Sequence, residues 1–308
     1  MRVFVTGGTG LIGTRLVREL RARQADVTVL TRRPGVARET LPADCTVVEG
    51  NSMEPGPWMD ALGGCDAVIN LAGESIFGRR WNEEFKALLR DSRVKTTEHV
   101  VQALARNPRT AAGEPKILVN GSAIGYYGPR GDEEVTEDTP AADDTLARLT
   151  VDWERAASAA EPQGIRVALV RTGVVLDKAG GALARMLTPF QIGIGGPVGS
   201  GRQWMSWIHH ADLVGILLLA LDNPRATGPI NGTAPNPVTN KEFSRALGRA
   251  LHRPAFMPVP GFALRLRFGE VAEVLTTGQR VLPLRALALG YPFKFPHLDG
   301  ALQEVLAS

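Results

Sequence analysis

The chain has 308 residues, 44% of them hydrophobic and 22% charged, which excludes a disordered, fibrous or membrane-spanning protein and suits one large or two modest domains. Its 35 Lys and Arg against 32 acids leave a net charge of +3, too small by itself to imply a nucleic-acid or anionic-membrane partner. Two cysteines, Cys45 and Cys65, cannot build a disulfide framework or a four-cysteine zinc site and suit a reducing cytosol.

Through the first half, short β-branched runs alternate with helical stretches. Strands are expected at Val3 to Val5, Val27 to Leu30, Thr46 to Val48, Ala67 to Leu71, Ile117 to Val119 and Val167 to Val170. Helices are expected at Leu11 to Arg23, about Asn82 to Arg106, and Asp143 to Ala160. This alternation predicts an α/β fold, a Rossmann-type doubly wound parallel sheet. After Thr172 the rhythm changes, and the glycine-dense stretch from Gly193 to Gly201 reads as irregular. Helix returns at His210 to Asp222 and a short strand at Ile230; Thr239 with Glu242 three residues on is a capping box that opens another helix. Prolines at 254, 258, 260, 283, 292 and 296 then predict short helical pieces rather than more sheet. The expected division is residues 1–235, with 175–207 contributing to a substrate cleft, and a small C-terminal domain, 236–308. The apolar start is too short for a signal-peptide core and the run Leu213 to Leu221 too short for a bilayer, so the expected location is the cytoplasm.

The first strand runs into Gly7-Gly8-Thr9-Gly10-Leu11-Ile12-Gly13, which satisfies Gly-x-Gly-x-x-Gly at 8, 10 and 13 and Gly-x-x-Gly-x-x-Gly at 7, 10 and 13. Between a strand and a helix, such glycines allow a tight turn, close approach to a pyrophosphate and close helix packing, with the helix N-terminus facing the phosphates. The second strand ends Thr31-Arg32-Arg33. An acid at this end would hold a ribose 2′-hydroxyl; two arginines can instead clamp a 2′-phosphate, so NADP is the expected cofactor. The alternative is a solvated arginine pair ending a strand.

The chain resembles the short-chain dehydrogenase/reductase superfamily of the extended type, and within it the epimerase-family proteins described as sugar-nucleotide epimerases, some of them labelled cell-division inhibitors. The resemblance spans nearly the whole chain. It rests on the glycine loop, Asn70-Leu71-Ala72-Gly73-Glu74, Arg80-Trp81-Asn82, Ser92-Arg93-Val94 and Gly121-Ser122-Ala123-Ile124-Gly125-Tyr126-Tyr127-Gly128. Downstream it continues through Arg171-Thr172-Gly173-Val174-Val175-Leu176, Gly195-Gly196-Pro197, Ser206-Trp207-Ile208-His209 and Asn231-Gly232-Thr233-Ala234-Pro235. It implies that Thr31 and Arg32 hold the adenosine phosphate end and that Leu71, Ala72 and Gly73 lie along the cofactor. It also implies that Arg93 reaches the cofactor side and that Gly173 and Val174 approach the nicotinamide.

The usual reductase chemistry needs a Ser and a Tyr followed four residues later by Lys. Four residues after Tyr126, Tyr127 and Tyr291 stand Arg130, Gly131 and Phe295, so the pair is absent; these three are the only phenols in the chain. The helix expected to carry the pair reads Leu149-Thr150-Val151-Asp152-Trp153-Glu154-Arg155, and an ungapped comparison puts Ala123 at the usual serine position. Two readings stand. Ser122 with Tyr126 or Tyr127 substitutes, giving an oxidoreductase or nucleotide-sugar epimerase, or the protein binds NADP without turnover as a sensor or interaction protein. An exposed apolar surface at Phe262, Leu264, Leu266 and Phe268 would favour the second and a polar cleft opposite nicotinamide the first. Glu74, Gln203, Trp204, Trp207 and His209 are candidates to meet a small-molecule substrate of unknown identity, each with a structural alternative. The His209-His210-x-Asp212 grouping lacks a further ligand at metal spacing, so no metal is expected. A homo-oligomer stays open.

Overall fold

A computed structural model describes residues 1–307, with side chains at every position but 267 and 268. The central sheet has seven parallel strands: β1 (Arg2–Thr6), β2 (Asp26–Thr31), β3 (Thr46–Glu49), β4 (Ala67–Asn70), β5 (Ile117–Ala123), β6 (Arg166–Thr172) and β7 (Gly228–Gly232). They lie in the order β7-β6-β5-β4-β1-β2-β3, so the direction of winding reverses between β1 and β4. In open α/β sheets ligands bind outside the carboxyl ends of the strands at such a reversal.

Helices cover both faces, as a buried parallel sheet requires. On one side α1 (Leu11–Ala22) buries Leu16, Val17 and Leu20 against Val3, Val5, Val27 and Val29. On the other, α2 (Glu83–Ala105) buries Val100, Val101 and Leu104 against Phe4, Val68 and Leu118. Asn82 caps α2 by accepting from the Phe85 amide at 2.8 Å, and Glu83 and Glu84 set acidic charge at its positive end. Beside it, α3 (Thr145–Ser158) is capped by Asp144, which accepts from the Leu146 and Ala147 amides at 2.9 Å.

The second half departs from the sheet as expected, with more order than its glycines suggested. Helix α4 (Gly181–Gln191) precedes the irregular 193–201 stretch, and α5 (His210–Asp222) returns the chain to the α1 face. Helix α6 (Asn240–Ala250) opens with the capping box, Thr239 and Glu242 exchanging hydrogen bonds. It pairs with the last helix, α7 (Leu298–Ala307), around a third core of Leu176, Leu183, Trp207, Phe243, Leu247 and Leu302. The expectation of no further strands after residue 235 needs correction. Val238–Thr239 pairs with Trp204–Met205, and Arg280–Val281 pairs with Glu134–Val135. These ladders are two residues long, below the length at which alternation can be read.

Candidate cofactor and active site

The glycine loop is dictated by close backbone approach. Gly7 has φ +67°, and a Cβ there would stand 2.7 Å from the Leu71 carbonyl; one on Gly13 would stand 2.1 Å from Gly7 O. Thr6 Oγ1 ties the loop to the end of β4, donating to Asn70 Oδ1 at 2.5 Å and accepting from the Ala72 amide at 3.2 Å. Gly10 ends the loop with no side-chain cap on α1, which leaves first-turn amides of the helix open to an anion. A diphosphate fits this turn, since glycine at 7 and 13 lets the loop close tightly on its own backbone while the uncapped first-turn amides of α1 stay open to an anion. At the end of β2, Thr31 is buried and its Oγ1 accepts from the Arg33 amide at 3.1 Å, while Arg32 and Arg33 are exposed. No carboxylate among the described residues pairs with either guanidinium.

Leu71 and Ala72 are half-buried beside the loop and Gly73 is exposed. Arg93 is not on a solvated helix face. It donates to the Glu74 carbonyl at 2.8 Å and the Leu89 carbonyl at 2.9 Å, lies 5.3 Å from the Trp153 ring, and is brought down to about 10 by burial. Behind it Asn70, Asn120 and Thr97 form a buried polar knot, Asn70 donating to Thr97 at 2.9 Å and to Asn120 at 2.6 Å, with Trp153 Nε1 reaching Thr97 at 3.0 Å. Gly173 is required by the protein itself, because a Cβ there would be 2.4 Å from Ser206 O; half-buried Val174 follows it.

At the carboxyl ends of β5 and β6 lies a buried charged network that the sequence reading missed. Arg171 grips Glu154 with two bonds of 2.8 Å, Ser122 Oγ donates to Glu154 Oε1 at 2.5 Å, and Arg171 Nη1 reaches Tyr127 Oη at 2.9 Å. Tyr127 Oη donates in turn to Asn231 Oδ1 at 2.7 Å. Burial would lower the Arg171 guanidinium, but Glu154 outweighs it and holds it above its ordinary value. Tyr127 is fully buried, which pushes its phenol up to about 12. Tyr126 differs: it is half-buried, its ring lies 3.5 Å from the Arg171 guanidinium, and its hydroxyl makes no hydrogen bond to another described residue. The signal for this network was an acid on the apolar face of α3, where Ala147, Thr150, Glu154 and Ala157 are buried, and an arginine ending a buried strand.

Two substrate candidates need correction. Trp207 is fully buried in the third core with Nε1 donating to Asn236 O at 3.0 Å, and His209 is fully buried as the cap of α5, its Nδ1 accepting from the Ala211 amide at 3.1 Å. Trp207 lies beside the glycine-rich stretch and His209 at a helix start, but the strand Trp207–His209 pairs with Val174–Leu176 and both rings are buried. Gln203 donates to Val198 O and Leu275 O at 3.0 Å each and leaves Oε1 buried without a partner; Trp204 is half-buried and donates to Asp132 at 2.7 Å. Half-buried Glu74 has its backbone held by Ser92 and Arg93, and its carboxylate makes no hydrogen bond among the described residues.

His209, His210 and Glu304 bring ligand atoms within 4.8 Å of one another. The α5 cap fixes the His209 tautomer: with Nδ1 accepting, Nε2 carries the proton and donates to Glu304 at 2.6 Å, so it has no lone pair for a metal. Next to it, Arg15 on α1 holds Asp177, and against the burial that would raise it keeps that carboxyl below the usual range. Burial, then His209 and Arg15, lower His210 to about 4. The folded chain therefore takes up this proton later than the unfolded chain does. Stability contributed above pH 6.5 is lost as pH falls toward 4, by on the order of 2 kcal/mol. Urea midpoints at pH 7 and pH 4.5 should show this loss, and His210→Asn should reduce it; an unchanged difference would count against it.

The sheet order, its reversal and the glycine loop define a Rossmann-type α/β protein. Residues 3–231 match the NAD dependent epimerase/dehydratase family, and the chain belongs to that family. Residues 259–305 match a domain of unknown function (DUF1731). The chain is 44% identical over 312 residues to epimerase family protein SDR39U1 of Bos taurus, covering 100% of both. It is 45% identical over 307 residues to the chloroplastic SDR39U1 homolog of Arabidopsis thaliana, covering 99% of this chain and 87% of the relative. Among solved structures, human epimerase family protein SDR39U1 (isoform2) with NADPH superposes with TM-score 0.88 at 40% identity, covering 100% of this chain and 99% of that one. UDP-glucuronic acid 4-epimerase from Bacillus cereus, at 14% identity and TM-score 0.79, shares the fold. The atypical epimerase-family resemblance is thus confirmed. Among the described residues no helix is long and apolar enough to cross a membrane.

Proposed function

We propose that the protein binds NADP(H) through residues 1–235 and is a reductase- or epimerase-type enzyme whose usual phenol and ammonium pair is replaced. The observation that carries the cofactor choice is the pair Arg32 and Arg33 at the end of β2, exposed, free of carboxylates and one strand from the phosphate cradle. A 2′-phosphate there gains charge-assisted bonds that a 2′-hydroxyl cannot. The human relative solved with NADPH supports the same choice. When bound, the cofactor would supply hydride chemistry. The glycine loop would hold its diphosphate, Leu71, Ala72 and Arg93 its flank, and Gly173 and Val174 the reacting end.

For the proton, Tyr126 is the better of the two substitutes, because its hydroxyl is free and a fixed guanidinium lies against its ring. Ser122 acts on this reading by holding Glu154, and through it Arg171, in place. Arg32→Asp should weaken NADPH by about tenfold or more, the loss of one charge-assisted contact, and narrow its advantage over NADH. Carbonyl and nucleotide-sugar substrates, screened by NADPH absorbance and C4 epimerisation, should give turnover that Tyr126→Phe abolishes. Equal affinity of the wild type for both cofactors would remove the 2′-phosphate argument.

A non-catalytic reading has one observation in its favour. Phe262 and Leu266 are 77% and 79% exposed, as an interaction surface requires; Leu264 is half-buried, and the Phe268 side chain lies outside the described residues. NADPH binding without turnover of any screened substrate would favour it.

A further inference from the structure

A second basic site lies away from the glycine loop, at the C-terminal end of α6. Arg245, Arg249, His252, Arg253 and Phe256 surround an open depression of about 620 Å³ floored by Gly248. The four basic side chains are exposed, and none of the residues lining the depression is acidic. Arg245 and Arg249 stand four apart on one helix face, where like charges repel. One carboxylate reaches the group, Asp299 on α7, which pairs with Arg249 at 2.7 Å. Glu242 lies near Arg245 but is engaged by Thr239.

The helix ends here in a paired-bond cap: the His252 amide donates to Arg249 O at 3.0 Å and the Arg253 amide to Gly248 O at 2.9 Å. His252 itself sits at φ +53°, a left-handed position that favours glycine; Gln24, the other described non-glycine residue with positive φ, closes α1 with the same pair of bonds, its amide donating to Arg21 O at 2.9 Å and the Ala25 amide to Leu20 O at 3.0 Å. Neutralising a helix terminus does not need a repelling arginine pair. That repulsion is offset if an anion with several charges sits among the four basic side chains.

We propose that this depression binds a phosphorylated ligand, with a diphosphate as the minimal unit held by Arg245, Arg253 and His252. The phosphate could belong to a free small molecule or to a lipid headgroup, since Phe256 (72% exposed) and Met257 (46%) stand beside it.

The test is calorimetric titration of pyrophosphate into NADPH-saturated protein, so that the glycine loop is occupied. Saturable binding at one site is expected, weakened about tenfold by Arg245→Ala and by Arg253→Ala and unchanged by Arg225→Ala, an exposed arginine elsewhere. His252→Gly should raise the thermal midpoint by relieving the left-handed strain and at the same time weaken pyrophosphate. Co-sedimentation with phosphatidylcholine vesicles, with and without phosphatidylinositol bisphosphate, separates the sources: selective sedimentation with the phosphorylated lipid assigns the headgroup, and pyrophosphate binding alone assigns a soluble ligand. Dependence on Arg245 and Arg253 identifies the site whether or not NADPH is loaded. Neither pyrophosphate nor vesicle binding, or binding that these substitutions leave unmoved, would overturn the proposal.

Discussion

Glu154→Ala should destabilise the protein by about 3–5 kcal/mol, the loss typical of removing one partner from a buried ion pair. The Arg171 and Glu154 side chains are 4% and 10% exposed, so the orphaned guanidinium cannot turn to water. Its remaining hydrogen-bond partners among the described residues would be the Tyr127 hydroxyl and the Glu137 carbonyl. The urea midpoint should fall accordingly. Ser122→Ala removes one bond to the same carboxylate and should lower stability by about 1–2 kcal/mol. Replacing both charges, Glu154→Leu with Arg171→Met, should be milder than Glu154→Ala, because no uncompensated charge remains. A Glu154→Ala protein as stable as wild type would mean that the network is not the anchor between α3 and β6.

Gly13→Ala should weaken NADPH by at least about 100-fold, or nearly 3 kcal/mol. Its Cβ would meet Gly7 O at 2.1 Å, and backbone cannot rotate away as a side chain can. The loop would have to move off the end of β4, against which it packs so closely that a Cβ on Gly7 would stand 2.7 Å from the Leu71 carbonyl. Gly35→Ala is the control for a glycine change as such, because a Cβ there meets nothing within 4 Å. Fluorescence titration of NADPH reads both variants, and a Gly13→Ala protein that binds normally would exclude this loop as the phosphate cradle.

The strands of the sheet were legible because a parallel strand buried on both faces is a continuous apolar run, as Val167 to Val170 shows. The glycine loop was legible for a related reason: close backbone approach admits one residue type, so geometry writes itself into composition. What could not be read depends on pairing across distance. Glu154 and Arg171 are 17 residues apart, and Tyr127 meets Asn231 from 104 residues away. An acid on the apolar face of α3 signals a buried partner, but nothing local says which residue that partner is. Trp207 and His209 misled for the converse reason. Their neighbourhood in sequence is glycine-rich and open, but their three-residue strand buries Trp207 in the third core and His209 against Phe295 and Glu304. The two tyrosines look equivalent in the sequence. Their positions at the end of β5 bury Tyr127 in the network and leave the Tyr126 hydroxyl free, which narrows the search for a proton donor to one phenol.

The identity of the cofactor is tested most directly by equilibrium titration of the wild-type protein with NADPH and with NADH under the same salt. If Arg32 and Arg33 clamp a 2′-phosphate, NADPH binds at least about tenfold more tightly, and the gap shrinks as salt rises. Equal dissociation constants, or tighter NADH, would contradict the cofactor site described.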